Sequence, residues 1–393
     1  MPDDSRYLRH RQIPGFSQQA VQALRVLVIG AGAIGNEVVK NLVLLGAGEI
    51  TVFDMDRVER HNLTRSVLLH EDDIGQMKAQ ALAQRAGRLN ADCRVHAVVG
   101  DIHDTLTLAH LQRADLLICG ADNFEARIRT NQACLLMGLA WINAAIDSRH
   151  VSIDTFPFDA ERAPACYECG LPGSVYERLA RRQSCGGLTR AALADKVMPT
   201  TTITTSLAGA LAVNEALRLA GCDNRAAPSD GKAGTRIFMD SLGGTAARTT
   251  LGPAPLCAGC GSVPFRPALL GEADSARRLL ELAGDPQGQQ HYQLSDPLIW
   301  SCACETCGPS PVLQALVGSR ARAQTDAITI CARCRQPSVR VEVRETFTGA
   351  ELLTQFGDRP PTGRWALADA GLIALNGDAD VRPPTDFPME PAP

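Results

Sequence analysis

The sequence predicts an α/β protein: a doubly wound, mostly parallel sheet with a Rossmann-like nucleotide site, followed by a small C-terminal domain containing a zinc ribbon. Three observations support this fold class. Strand and helix patterns alternate from Arg25 to about Ile146, as expected for a parallel sheet covered by helices on both faces. The first strand runs into a glycine-rich turn that opens a helix. Two Cys-x-x-Cys pairs lie near one another in the C-terminal part.

The glycine-rich turn follows the apolar strand 26–29 and contains Gly30, Gly32 and Gly35. Glycine lets the backbone approach a ligand closely, and the helix N-terminus offers unpaired N–H groups to an anionic phosphate. We therefore predict that these three glycines bind a nucleotide. The alternative is that they only allow close packing of helix against strand. The turn alone does not select the nucleotide, because NAD and FAD enzymes share it.

The segment after the turn favours ATP over a nicotinamide cofactor. The second strand ends at Asp54 and Asp56, where a carboxylate can accept hydrogen bonds from ribose hydroxyls. Asn62, Arg65 and Lys78 follow, and a nicotinamide enzyme has no need of them. Two cations at this place would neutralise the charge that builds on a triphosphate during displacement.

A further strand, 115–119, is followed by Asp122, so this carboxylate also lies at the carboxyl end of a strand. A carboxylate placed beside nucleotide phosphates can hold Mg²⁺ against them. We predict Asp122 as the magnesium ligand of the site.

These motifs, in this order, resemble the ThiF and MoeB adenylyltransferases and the ubiquitin-activating enzymes over roughly residues 6 to 260. The resemblance implies that Asp54 binds ribose, that Asp122 binds magnesium, and that the phosphates are bound by Asn62, Arg65 and Lys78. It also implies a catalytic role for Arg11, as the arginine that reaches into the site of a partner subunit, and therefore a homodimer. Ser66 departs from the family pattern, which has Gln after the phosphate arginine.

The cysteine content predicts a reducing compartment and metal binding. Fourteen cysteines occur in 393 residues without an apolar N-terminal run, so we expect a cytoplasmic protein rather than a secreted disulfide scaffold. Eight cysteines form four Cys-x-x-Cys pairs, a spacing that lets two thiolates bind one tetrahedral Zn²⁺.

We predict two zinc sites from these pairs. Two pairs far apart in sequence also occur as a structural zinc site in the resembling enzymes, with redox activity as the alternative: Cys166, Cys169, Cys257 and Cys260. The other two pairs enclose a short segment and predict a zinc ribbon, with Cys302 able to replace the first ligand: Cys304, Cys307, Cys331 and Cys334.

Cys185 lies in a glycine-containing segment between Arg182 and Arg190, and such cations favour the nucleophilic thiolate. In the resembling enzymes, a cysteine of the crossover loop accepts the activated carrier as a thioester or takes part in sulfur transfer. We predict that loop at about 173–200 and Cys185 as its catalytic nucleophile. A solvated thiol without a role is the alternative.

The predicted organisation is an adenylation domain at 1–262, a linker at 263–290, a zinc-binding domain at 291–375 and a disordered tail at 376–393. The net charge of −4 gives no basic footprint for nucleic acid, and no apolar run is long enough for a membrane helix.

The resemblance implies a function that uses ATP, Mg²⁺ and Zn²⁺: adenylation of the C-terminal carboxylate of a ubiquitin-like or sulfur-carrier protein ending in Gly-Gly. The extra C-terminal domain favours thioester transfer through Cys185 in a conjugation pathway, with a conjugating enzyme as a further partner. The first alternative is sulfur-carrier activation in a molybdopterin or thiamine-type pathway. Alternatives of another class are an NAD-dependent oxidoreductase and an inactive binding scaffold.

Overall fold

The computed structural model describes residues 6–158, 165–176, 199–225, 233–255, 257, 259–260, 268–271, 275–318, 330–357, 364–368 and 371–375. The chain divides into two compact units. The first comprises Met1–Leu106 and His110–Val263, and the second comprises Pro264–Pro393 with Thr107–Ala109.

The first unit is organised around an eight-stranded sheet. Its strands are β1 Arg25–Ile29, β2 Glu49–Asp54, β3 Arg94–Val99, β4 Leu116–Cys119, β5 Trp141–Ile146, β6 His150–Phe156, β7 Thr235–Asp240 and β8 Thr245–Thr250. The order is β3-β2-β1-β4-β5-β6-β7-β8, parallel from β3 to β5 and antiparallel from β6 to β8. Because the chain starts at β1 and extends outward on both sides, the predicted doubly wound sheet is confirmed.

Helices precede the first strand and carry most of the connections between the parallel strands. Those within the described ranges are α1 Leu8–Arg11, α2 Gln18–Ala23, α3 Ala33–Leu45, α4 Lys78–Leu89, α5 Ile102–Thr105, α6 Leu108–Arg113, α7 Phe124–Met137 and α8 Thr202–Leu219. Among the described residues, none of the helices combines the length and apolar character needed to cross a bilayer.

Helices α3 and α8 approach each other closely. A Cβ atom added to Gly209 of α8 would lie 2.3 Å from the Cβ of Glu37 on α3, so only glycine fits at this contact. Ser206 donates a hydrogen bond of 3.0 Å to the buried Glu37 carboxylate. The two helices and the strands of the sheet contribute to one continuous apolar core, which includes Val38 and Ala212.

The second unit contains two small sheets and three short helices among its described residues. The elements are β9 Ala268–Gly271, α9 Ala276–Leu282, β10 His291–Cys304, α10 Pro311–Gln314, β11 Val339–Thr348, α11 Gly349–Phe356, β12 Arg364–Ala368 and β13 Gly371–Leu375. Strand β10 pairs with β11, and β12 pairs with β13 and β9, all antiparallel. Trp300 stacks on Phe347 at 5.2 Å and meets Phe356 edge-on, which builds an aromatic core.

The segment that we predicted as a linker, 263–290, differs from that expectation. It contains β9 and α9, and Leu279 and Leu280 of α9 are fully buried in the core of the second unit. The Pro and Gly residues on both sides of this short helical pattern indicated a linker. The leucines of the helix nevertheless bury enough apolar surface to hold it in place. The predicted tail, 376–393, lies outside the described residues.

Candidate nucleotide and metal sites

The glycine-rich turn, Asp54 and Asp122 lie at one edge of the sheet. Strand β1 is flanked by β2 and β4, and all three run in the same direction. The glycine-rich turn follows β1, Asp54 ends β2 and Asp122 follows β4. Because parallel strands end at the same edge, these groups converge at the switch point of a doubly wound sheet, where such folds bind ligands.

The three glycines of the turn have different physical roles. Gly30 has φ +94° and faces the backbone of Gly120 on the loop after β4, where an added Cβ would lie 3.3 Å from the carbonyl carbon. A Cβ at Gly35 would lie 1.8 Å from the carbonyl oxygen of Gly30. Close packing therefore explains why Gly30 and Gly35 are glycines. Gly32, the N-cap residue of α3, has no atom within 4 Å of its added Cβ, so open space beside it is available to a ligand.

Asp54 fixes the turn against the end of β2. Its Oδ2 accepts a hydrogen bond of 2.7 Å from the backbone N–H of Ala31, and its Oδ1 accepts one of 2.8 Å from the N–H of Asp56. Burial raises the pKa of this carboxyl group. A carboxylate has about four acceptor positions, so two remain for ribose hydroxyls.

Lys78 is the first residue of α4 and forms an ion pair with Asp56. The Nζ to Oδ2 distance is 2.8 Å, and the lysine side chain is only 12% exposed while that of Asp56 is 55% exposed. The backbone N–H of Lys78 also donates to the carbonyl of Asp56 at 2.8 Å. The predicted phosphate cation is thus held at the end of β2 by a carboxylate that faces solvent.

Asn62 and Arg65 both contact the backbone around a short 3-10 helix, Arg60–Asn62. The buried Asn62 accepts at Oδ1 from the N–H of Glu59 at 2.9 Å, and Arg65 donates through Nη1 to the carbonyl of His61 at 2.8 Å. These hydrogen bonds of the two predicted phosphate ligands therefore hold the local backbone.

Ser66, at the position where the family has Gln, is 2% exposed, and its hydroxyl has no hydrogen-bond partner among the described residues. An unpaired buried hydroxyl costs about 1–3 kcal/mol. Because this oxygen is inside the protein, it cannot contact a nucleotide. At this position the chain therefore lacks the longer amide side chain that the family pattern supplies.

Asp122 is exposed, and the backbone on both sides of it is held. Before it, the carbonyl of Ala121 accepts two hydrogen bonds from Arg127, from Nε at 3.0 Å and from Nη2 at 2.7 Å. After it, Asn123 caps α7 by accepting from the N–H of Ala126 at 2.8 Å. Sequence analysis missed Arg127, although its place in the first turns of the helix after Asp122 was a usable signal.

Arg11 and Cys185 are the two other predicted catalytic residues. Arg11 is exposed at the end of α1. Cys185 lies outside the described residues, as does 177–198 of the predicted crossover loop.

The four cysteines of the first predicted zinc site come together. The Sγ atoms of Cys166 and Cys257 are 3.5 Å apart, as are those of Cys169 and Cys260. All four lie within 4.8 Å of one another. Four sulfurs around a tetrahedral Zn²⁺, with Zn–S of about 2.3 Å, are about 3.8 Å apart, so this set fits the ion. Four converging thiols favour a metal over a two-cysteine redox pair.

The second predicted site also forms a group within 4.8 Å, made of Cys304, Cys307, Cys331 and Cys334. The Sγ atoms of Cys304 and Cys334 are 3.7 Å apart. The Ser338 hydroxyl, 3.1 Å from the sulfur of Cys304, lowers the pKa of that thiol to about 6 and favours the thiolate that binds metal. Cys302 is buried nearby and does not belong to this group.

We expect the protein, purified without chelator, to hold about two Zn²⁺ per chain, one in each group of four cysteines. Chelation should unfold the second unit first, because a small unit has little core to replace the metal. Elemental analysis and near-UV circular dichroism during chelation measure both effects. Cys331→Ala should lose one ion and Cys302→Ala neither. Preparations without zinc would refute both sites.

A solved structure, the complex of E. coli MccB with MccA, is similar to this chain with a TM-score of 0.51 and 24% identity. The likeness covers 66% of this chain and 75% of that one. At this identity it shows the shared fold alone.

Curated relatives include the sulfur carrier protein adenylyltransferase of Thermus thermophilus, 34% identical over 42% of this chain and 64% of the relative. The SAMP-activating enzyme E1 of Haloferax volcanii is 31% identical over 42% of this chain and 62% of the relative. The sulfur carrier protein ThiS adenylyltransferase of Bacillus subtilis is 33% identical over 33% of this chain and 39% of the relative. The matches thus span less than two thirds of the length of each relative.

The family profile covers more of the chain than any of these relatives. The profile described as the ThiF family matches residues 5–257, which is more than half of the 393 residues. This range contains the glycine-rich turn, Asp54, Asp122 and three of the four cysteines of the first group. The chain belongs to the ThiF family.

Proposed function

We propose that this protein uses MgATP to adenylate the C-terminal carboxylate of a small β-grasp carrier protein. The observation that carries the proposal is the convergence, at one sheet edge, of the open side of Gly32, the Asp54 carboxylate and the exposed Asp122. This set offers a phosphate-binding helix N-terminus, a ribose acceptor and a magnesium ligand. The names of the relatives support an adenylyltransferase.

In the proposed reaction, a carboxylate oxygen of the carrier attacks the α-phosphorus of ATP, the bond to the β-phosphate oxygen breaks, and pyrophosphate leaves. Magnesium held by Asp122 would supply charge neutralisation on the phosphates. Arg65, Lys78 and the partner subunit's Arg11 would stabilise the remaining negative charge. The protein groups position and neutralise, since the displacement itself needs little covalent help.

The relatives favour a sulfur carrier as the substrate over the conjugation pathway that the extra C-terminal domain favours. Two of the three relatives described above are named sulfur-carrier adenylyltransferases. We therefore propose a sulfur-carrier protein ending in Gly-Gly as the substrate. Conjugation through a conjugating enzyme is the second candidate, and the extra second unit with its own cysteine group supports it. Family membership favours both over a nicotinamide oxidoreductase.

A homodimer is part of the proposal, because Arg11 must reach a second subunit. An open cleft of about 420 Å³ lies beside α1 and is bordered by His10, Ile13 and Leu44. Leu44 is 49% exposed at this cleft. A second copy of the chain, seated here, would cover this apolar surface next to the helix that carries Arg11.

The test of the function is pyrophosphate exchange into ATP, with a small β-grasp protein ending in Gly-Gly as the substrate. We expect exchange that requires this protein and is lost when its last glycine is removed. Cys185→Ala should keep exchange and lose any DTT-sensitive adduct with the carrier, because adenylation needs no thiol and transfer does. Cys185→Ser can trap a DTT-resistant ester.

Absence of exchange in the wild-type chain would refute the adenylation proposal. An adduct that persists in Cys185→Ala, and disappears when another cysteine is replaced, would refute only the role of Cys185.

A further inference from the structure

The first cysteine group is joined to α7 by a buried asparagine. We call the segment Cys166–Gly170, which carries Cys166 and Cys169, the cysteine turn. Asn131 of α7 accepts at Oδ1 from the backbone N–H of Tyr167 at 3.1 Å, and its Nδ2 donates to Oε1 of Glu168 at 3.1 Å. Asn131 is fully buried. Both functional ends of this one amide are therefore used to hold the cysteine turn.

Glu168 is the second member of this connection. It lies between the two cysteines of the turn in sequence and is only 4% exposed. Besides the bond from Asn131, its Oε2 accepts a hydrogen bond of 2.7 Å from the Tyr176 hydroxyl. A Cβ added to Gly259, in the other cysteine pair, would lie 2.7 Å from Oε1, so the carboxylate packs against both halves of the group. A buried carboxylate must keep such partners, because losing one is costly.

The same helix is also joined to the nucleotide edge. Arg127 precedes Asn131 by four residues, so the two side chains lie on one face of α7. Arg127 donates to the carbonyl of Ala121, and Asn123 caps the helix. The residues on both sides of Asp122 are therefore bonded to α7. A displacement of α7 therefore displaces the Asp122 carboxylate.

We infer that Asn131 is a positioning residue that couples metal occupancy of the first cysteine group to the placement of Asp122 and to MgATP binding. The metal fixes the cysteine turn, the turn fixes α7 through Asn131, and α7 fixes Asp122. The inference rests on the proposed function for the role of Asp122. Coupling between two binding sites is reciprocal, so MgATP should also raise the affinity of the first cysteine group for the metal.

The test removes the donor of the hydrogen bond between Asn131 and Glu168 with one substitution and restores a donor with a second. Asn131→Asp keeps the acceptor for Tyr167 and places a second carboxylate against Glu168. Adding Glu168→Gln supplies an amide that can donate to the new carboxylate on α7 while its oxygen still accepts from Tyr176. We expect Asn131→Asp to raise the dissociation constant for MgATP about tenfold. It should also speed the loss of zinc to a chromogenic chelator. The double variant should recover most of both changes.

The matched control is Gln132→Glu, which makes the same chemical change at the next, exposed position of α7. It should leave both measurements unchanged. Cys331→Ser identifies the phase of zinc release that belongs to the second cysteine group.

Two results would overturn the inference. The first is faster zinc release in Asn131→Asp with unchanged MgATP binding, and the second is a folded double variant without recovery. Both measurements use binding rather than turnover. A wild-type chain that binds MgATP and never exchanges pyrophosphate would therefore refute the proposed function. The effect of Asn131→Asp on MgATP binding and zinc release could still be measured in that chain.

Discussion

Pyrophosphate exchange should fall about 10²–10³-fold when either Asp122 or Lys78 is replaced by alanine. Asp122→Ala removes the proposed magnesium ligand from an exposed position, and Lys78→Ala removes a cation next to the end of β2. Loss of one preorganised charge of this kind costs about 3–4 kcal/mol of transition-state stabilisation. Exchange of labelled pyrophosphate into ATP at saturating carrier measures the effect.

The fold should survive both changes, because Asp122 is exposed and the partner of Lys78, Asp56, is a largely solvated carboxylate. Asp72→Ala removes a carboxylate that is also exposed and lies outside the proposed site, so it serves as the control. Near wild-type exchange by a folded Asp122→Ala or Lys78→Ala chain would contradict the assignment of the site.

The same Asp122→Ala chain also tests the dimer. Mixed with an Arg11→Ala chain, it should regain part of the exchange, since one site of each hybrid dimer then has a normal Asp122 and a normal arginine from its partner. Hybrid dimers that form without recovery of activity would indicate a site contained in a single subunit.

Gly35→Ala should strongly destabilise the first unit. The added Cβ would lie 1.8 Å from the carbonyl oxygen of Gly30, and α3, which carries it, is packed into the core. Neither the turn nor the helix can move without disturbing buried contacts, so we expect a loss of about 3 kcal/mol or more. For a unit of this size, that corresponds to a fall of about 6–12 °C in Tm, measurable by calorimetry.

Gly32→Ala is the matched control for this prediction. Its added Cβ meets no atom within 4 Å and its φ is −77°, so the Tm should stay unchanged while MgATP binding weakens. Equal thermal stability of the Gly32→Ala and Gly35→Ala chains would show that the close approach of Gly35 to Gly30 is not maintained in solution.

The parallel sheet and its turn could be predicted because their signals are local. Alternating strand and helix patterns fix which strands are parallel, and parallel strands bring Asp54 and Asp122 to one edge wherever else the chain goes. The packing roles of Gly30 and Gly35 follow from distances to Gly120 and Gly30, which the sequence does not contain. From sequence, the packing and ligand explanations of these glycines were equally good.

Other parts of the site depend on contacts between residues far apart in the chain. Asn131 contacts Glu168 across 37 positions, and nothing in the local pattern of α7 distinguishes it from an ordinary polar residue of a helix. Glu168 lies between two cysteines of the predicted zinc site, and nothing in that short motif shows that its carboxylate is buried. Ser66 was visible as a departure from the family pattern, while its burial could be learned only from the fold.

The first cysteine group also determines how the chain is closed on itself. A metal joining Cys169 to Cys257 would make a ring of about 90 residues, and closing a ring of that size would remove about 4–5 kcal/mol of chain entropy from the unfolded state. The crossover segment and Cys185 lie within this ring. A single protease cut there would consequently produce two polypeptides that remain attached through the ion, and only a chelator together with denaturant would separate them.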